Sequence, residues 1–139
     1  MKNVEIMSFK KISDDRGVLI PMEYPLQLPF EIKRIYYIYD VEKKERRGFH
    51  SHRDLEQILI AISGSVKILV KTPNEEQIIE LNDKSKGLYI GPMIWREMFD
   101  FSEDAVLLVL ASREYNKKDY IRNLDDYLKE AREIEWEEI

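Results

Sequence analysis

From Val4 to about Ser112 the chain is a series of short β-branched and aromatic runs cut by turn formers. That rhythm confines it to an all-β architecture. Residues 31–39 carry Ile32, Ile35, Tyr36, Tyr37, Ile38 and Tyr39, and the runs 57–62 and 65–70 are largely apolar. Ser63-Gly64 between those two runs predicts a tight hairpin turn. Thr72-Pro73-Asn74 is a further break, followed by a candidate strand at 77–81. Segments 88–90, 95–99 and 105–111 complete the series. Short strands at such regular spacing fold as a sandwich or a barrel.

The pattern then changes. Asn116 predicts a helix cap, with Asp119 three residues on. Tyr120, Leu124, Tyr127, Leu128 and Ala131 form an apolar stripe at helical spacing. The expectation is a C-terminal helix over about 116–134, packed on the same domain or across a dimer, with a solvated acidic tail at 135–139. No repeat, low-complexity segment or linker interrupts the 139 residues. They are expected to form one domain, residues 1–139, with the barrel at about 4–112 and core enough to fold.

Composition removes several classes of function. No apolar run approaches the length of a membrane span, and the start Met1-Lys2-Asn3-Val4-Glu5 lacks the apolar segment of a signal peptide. Without cysteine there is no disulfide, no thiolate nucleophile and no cysteine zinc site, which fits a cytoplasmic protein. A net charge of −5 weighs against broad nucleic-acid binding. It leaves room for a small anion met by a few local arginines.

The chemistry concentrates in Arg47-Gly48-Phe49-His50-Ser51-His52-Arg53, which holds both of the chain's histidines. On a β-strand, alternation turns both imidazoles to one face. Such a pair can hold a metal or move protons near neutral pH. His50-x-His52, four residues, Gln57, six residues and Gly64 reproduce the spacing of the first cupin motif, with an amide where that motif has a glutamate. The second motif usually brings another histidine after a Gly-to-Pro segment. Here residues 87–96 offer Arg96 instead. Zinc and iron want three or four donors from imidazole, carboxylate or thiolate, and a guanidinium repels a cation. Gln57 and Arg96 therefore favour proton transfer over metal binding.

Longer strings narrow the reading. In order along the chain stand Asp15-Arg16-Gly17-Val18-Leu19, the segment 28–40, the His-x-His run, Ser63-Gly64-Ser65-Val66 and Gly87-Leu88-Tyr89-Ile90. Trp95-Arg96, Phe101-Ser102, Ala111-Ser112 and Asp119-Tyr120-Ile121-Arg122 follow. Together, from about Asp15 to Tyr127, they resemble the nucleotide-sugar 3,4-ketoisomerases of the cupin superfamily, the FdtA/QdtA or WxcM-like family. The resemblance implies an all-β cupin fold, a double-stranded β-helix or jelly-roll barrel, with a C-terminal α-helix. It also implies a homodimer with exchanged N-terminal strands. The implied reaction is metal- and cofactor-independent: the ketone of dTDP-4-keto-6-deoxyglucose moves from C4 to C3, in deoxyaminosugar biosynthesis. Family proteins usually read His-Ala-His-Lys where this chain reads His50-Ser51-His52-Arg53, a change that keeps both imidazoles.

The same resemblance places the proton-moving histidine at His50, with His52 as the second imidazole and Tyr36 and Arg96 nearby. Tyr36 is preferred to Tyr37 on the family match and on strand parity with Arg34. Arg16, Arg34, Arg47 and Arg122 are candidates for the diphosphate, Gln57 for substrate contact, and Trp95 for stacking on the thymine ring. Plainer roles compete: Arg16-Gly17 as a turn, Trp95 as core, Arg122 paired with Asp119 or Asp126 at helical spacing. Three rival functions remain in view, a nucleotide-sugar 3,5-epimerase, a metal-dependent cupin oxygenase and a non-catalytic sugar-binding cupin.

Overall fold

The computed structural model describes residues 1–134 and 136. Twelve strands and one helix follow in order: β1 Val4–Ser8, β2 Ile12–Asp14, β3 Gly17–Leu19, β4 Arg34–Tyr39, β5 Arg47–His52, β6 Gln57–Ser63, β7 Val66–Lys71, β8 Glu76–Leu81, β9 Lys86–Ile90, β10 Trp95–Phe99, β11 Val106–Ala111, β12 Tyr120–Ile121 and α1 Leu124–Ala131. Two five-stranded sheets, β1-β9-β6-β11-β4 and β12-β5-β10-β7-β8, face each other as a jelly-roll barrel, and β2-β3 forms a separate hairpin. All pairings are antiparallel.

The two apolar runs after the histidines do not form the hairpin expected at Ser63-Gly64. β6 pairs with β9 and β11, whereas β7 pairs with β8 and β10. The chain crosses from one sheet to the other at Gly64, which takes a φ of 65°. There the Ser65 N–H donates to Ser102 Oγ, and the Ser102 N–H returns to the Ser65 carbonyl. The reason is burial: Leu59 and Ala61 on β6 and Val66, Ile68 and Val70 on β7 fill one core from opposite sides. The hairpin forms instead between β7 and β8, across the Thr72-Pro73-Asn74 break.

Each sheet buries its outer face differently. Phe9, Leu28 and Phe30 from the N-terminal segment cover Ile58, Ile60 and Leu110. Helix α1 covers the other sheet, placing Tyr127 and Ala131 against Trp95, Met93 and Ile121. The Tyr127 hydroxyl lies 2.9 Å from both the Lys71 and Met93 carbonyl oxygens, which fixes the helix to the end of β7 and to the turn between β9 and β10. The helix is shorter than the apolar stripe predicts. Asn116 caps only a 3-10 turn at Lys117–Asp119, and Asn123 is the true N-cap, accepting from the Asp126 N–H. Tyr120 and Ile121 pair with His52 and Ser51 as β12, because strand pairing at the edge of β5 outcompetes a helical turn there. Of the acidic tail only Trp136 is described. It is half-buried, its Nε1 donating to the Ala131 carbonyl, so it packs rather than standing in solvent; the other tail residues lie outside the described set. No helix among the described residues is long and apolar enough to cross a membrane.

β5 contains the irregularity that aims the site. Arg96 pairs with His50 but Glu97 pairs with Gly48, so Phe49 is an extra residue, a bulge at φ 56° beside Gly48 at φ 92°. A Cβ on Gly48 would lie 2.9 Å from the Arg96 carbonyl oxygen, a backbone atom that cannot swing aside. We expect Gly48→Ala to lower stability by about 2 kcal/mol, the strain of a non-glycine residue held in that region. An unchanged denaturation midpoint would show that the bulge has room for a side chain.

Candidate active site

Alternation and the bulge bring His50 and His52 to the inner face of β5, as the His-x-His spacing requires. Their ring centroids are 4.9 Å apart and nearly perpendicular. Tyr120, delivered by β12, stands 5.1 Å from His50 and 4.3 Å from His52, ring to ring. From the facing sheet, β4 turns Tyr36 inward, while Tyr37, also in the lining of the cleft, is 62% exposed. A cleft of about 500 Å³ opens beside them, lined by Arg34, Tyr36, Arg47, His50, Tyr120 and Arg122.

The floor is a directed chain of hydrogen bonds. Arg96 Nη1 donates to Gln57 Oε1 at 2.6 Å, which turns the amide so that Gln57 Nε2 donates to the Tyr36 hydroxyl at 3.2 Å. The Tyr36 O–H is thereby left free to donate into the cleft. Arg96 is 1% exposed, and its remaining bonds, from Nε and Nη2, go to the Ile94 carbonyl. Every partner of this guanidinium is a neutral oxygen. Burial pulls its pKa down to about 10, so it is still a cation at neutral pH, and among the described residues no carboxylate forms an ion pair with it, Asp119 acting on it only at longer range.

That cation governs its neighbours. Burial first, and then Arg96, push the His50 pKa down to about 4, opposed by a hydrogen bond to the Gly48 backbone. His52 is displaced the same way by burial, Arg96, His50, Arg122 and Arg34. Both rings are neutral near pH 7, the form that accepts a proton. Burial raises the Tyr36 pKa, with Gln57 and Arg96 opposing, so Tyr36 stays a donor.

Cationic side chains stand along the cleft. Arg34 stacks between Tyr36, at 4.6 Å, and Tyr115, at 5.2 Å, and Arg122 lies 4.2 Å over Tyr120. Arg122 therefore has an aromatic partner, and the expected helical pairing with Asp119 or Asp126 does not form because Arg122 precedes the helix. Two candidates fall elsewhere. Trp95 is 2% exposed on the outer side of β10, packed on Tyr127 with Nε1 donating to Glu97, so it is core and offers no stacking face. Arg16 pairs with Asp14 on the β2-β3 hairpin and does not line the cleft. The sequence reading also missed Tyr120 and Asp119 as site residues, having placed both in a helix capped by Asn116. The signal was Asn123, a better cap three residues before Asp126. The donor set does not suit a metal: among the described residues no three His, Asp or Glu side chains converge, and Arg96 occupies the inward position opposite His50.

A family model described as "FdtA: WxcM-like, C-terminal" matches residues 2–132. The chain belongs to that family. A TDP-4-oxo-6-deoxy-α-D-glucose-3,4-oxoisomerase from Aneurinibacillus thermoaerophilus is 45% identical over 133 residues, covering 96% of each chain. The QdtA 3,4-ketoisomerase from Thermoanaerobacterium thermosaccharolyticum, solved in complex with TDP, is 57% identical with a TM-score of 0.93, over 96% of this chain and 97% of that one. A histidine-to-asparagine mutant of that enzyme, in complex with TDP-4-keto-6-deoxyglucose, superposes with a TM-score of 0.95 at 55% identity, covering 99% of both chains. The solved structures share the overall fold with this chain.

The His50 shift has two consequences with one sign. Activity that needs neutral His50 should hold steady from neutral pH to about pH 5 and fall only towards its folded pKa of about 4. Stability falls earlier, because between the ordinary 6.5 and about 4 the unfolded chain binds a proton that the folded one refuses. Initial rates at saturating and limiting substrate, with unfolding followed in parallel, check both. An acidic limb at 6.5 would mean that the ring is not desolvated in this way.

Proposed function

We infer that this protein is a TDP-4-keto-6-deoxyhexose 3,4-ketoisomerase. The observation that carries the reading is the buried, unpaired Arg96 beside two neutral imidazoles. Moving a ketone between adjacent carbons passes through an enediol. A base removes the C3 proton, negative charge grows on the C4 oxygen, and a proton is returned at C4. His50 faces the cleft as that base. Arg96 is a fixed positive field that is unbalanced until the enediolate forms, and such preorganised charge stabilises the transition state more than the ground state. Tyr36, its hydroxyl oriented by Gln57, protonates the developing oxyanion.

Arg34, Arg47 and Arg122 form the cationic side of the cleft and suit a diphosphate. Tyr115 and Tyr120 give aromatic faces near the same wall, the role that Trp95 cannot fill. The QdtA structures hold TDP and TDP-4-keto-6-deoxyglucose, and a cleft walled by three arginines suits the diphosphate of such a ligand. A homodimer with exchanged N-terminal strands completes the reading. The β2-β3 hairpin stands outside both sheets with Ile12 54%, Val18 61% and Leu19 59% exposed, an apolar ribbon that a second copy would cover. Arg16 rides at its tip, and the exchange decides which cleft it can approach.

Incubating the protein with TDP-4-keto-6-deoxyglucose and following the sugar by NMR tests substrate, reaction and stereochemistry together. A 3-keto product is expected; an inverted C3 or C5 centre with the ketone still at C4 would make it an epimerase. His50→Asn should remove turnover by a factor of at least about 10³ while TDP binding stays within a few-fold, since the ring acts on a proton and not on the nucleotide. Wild-type turnover in that variant would take the base away from His50.

A further inference from the structure

His52 is a buried imidazole that the scheme above leaves without a task. Its ring is 1% exposed, and Nδ1 lies 3.1 Å from Asp119 Oδ2. An ionised carboxylate can only accept, so Nδ1 carries the proton and Nε2 keeps the lone pair. Among the described residues no group hydrogen-bonds Nε2. An unsatisfied buried acceptor costs about 1–3 kcal/mol, and a fold that keeps one has reason to use it. The carboxylate is itself pinned: Asp119 Oδ1 accepts from the Asp54 N–H at 2.9 Å, and the Asp119 carbonyl accepts from the Arg53 N–H. Asp119 is thus tied by two bonds to the segment that follows the histidines and by a third to His52 itself.

Ketone transfer also needs two protons moved. One passes from C3 to C4, and His50 carries it. The other passes from the C3 oxygen to the C4 oxygen, and no electron leaves the sugar. We propose that Asp119 is a positioning residue that locks His52 in the Nδ1–H tautomer, so that the Nε2 lone pair takes the hydroxyl proton of the C3 oxygen. As that O–H bond breaks and its electrons form the new C3 carbonyl, the C3–C4 double bond of the enediol collapses and C4 takes the proton held by His50. The C4 oxygen, protonated as the enediol formed, keeps its proton, and His52 passes its own on through Tyr36, whose hydroxyl spent one on that oxygen. The adjacent carboxylate stabilises the transient imidazolium, as a carboxylate does wherever it backs a histidine. This role rests on the ketoisomerase reading; the tautomer does not.

The test is Asp119→Asn in the full-length protein. Asparagine keeps an oxygen for the Asp54 N–H, which turns its amide N–H₂ towards His52 Nδ1 and forces that nitrogen to accept. With only two histidines in the chain, ¹⁵N NMR resolves four ring nitrogens and assigns each tautomer directly. The expected result is Nδ1–H in the wild type, Nε2–H in the variant, kcat lower by about 100-fold, and KM and TDP affinity within about threefold, the size of effect seen for groups that orient a functional histidine. Asp119→Glu should restore the wild-type tautomer and part of the rate. Protonated Nε2 in the wild type overturns the proposal, whether or not the variant folds. So does an Asp119→Asn enzyme with native kcat, or a rate loss that tracks thermal stability while the tautomer is unchanged. A wild-type protein that does not isomerise the sugar would sink the function and leave the tautomer assignment standing.

Discussion

The site depends on one buried charge that forms no ion pair among the described residues. Arg96 occupies the inward position on β10 opposite His50, and the barrel supplies it only with amide and carbonyl oxygens. Burying a cation unpaired costs several kcal/mol, so the rest of the domain has to be sound enough to carry it. The sheets do so with a continuous apolar half of the core, from Leu59 and Val66 to Leu107 and Val109, closing the far side of the barrel. What the fold gains is a field already in place when negative charge appears on the substrate.

Gln57 shows why the amide matters. A carboxylate there would pair with Arg96, cancel the field, and accept from Tyr36 instead of donating to it. The amide passes hydrogen-bond direction from Arg96 to Tyr36 and adds no charge. The same position that a metal-binding cupin fills with an anion is used here to keep a cation free. The oriented phenol follows from that choice, and the free cation adds to burial in keeping both histidines neutral.

Much of this was legible in the chain. The alternation around His50 and His52 and the inward parity of Arg34 and Tyr36 follow from strand periodicity, and Gln57 and Arg96 stood out only through the resemblance to the cupin motifs. What escaped was long-range. Whether Gly64 closes a hairpin or crosses between sheets depends on partners distant in sequence. Tyr120 fits a helical stripe as well as it fits β12, and only the open edge of β5 decides. Trp95 beside Arg96 illustrates the converse: neighbours on a strand face opposite ways, so one lies in the site and the other under a helix.

The central claim is that Arg96 acts through an unneutralised charge, and Gln57→Glu tests it with little change of shape. Following the His50 ring by NMR as pH is lowered should give a midpoint of about 4 in the native protein. In the variant, where a carboxylate faces the guanidinium, the midpoint should move upward and isomerase turnover should fall with it. A His50 midpoint that is the same in both proteins, with native turnover in the variant, would contradict the account.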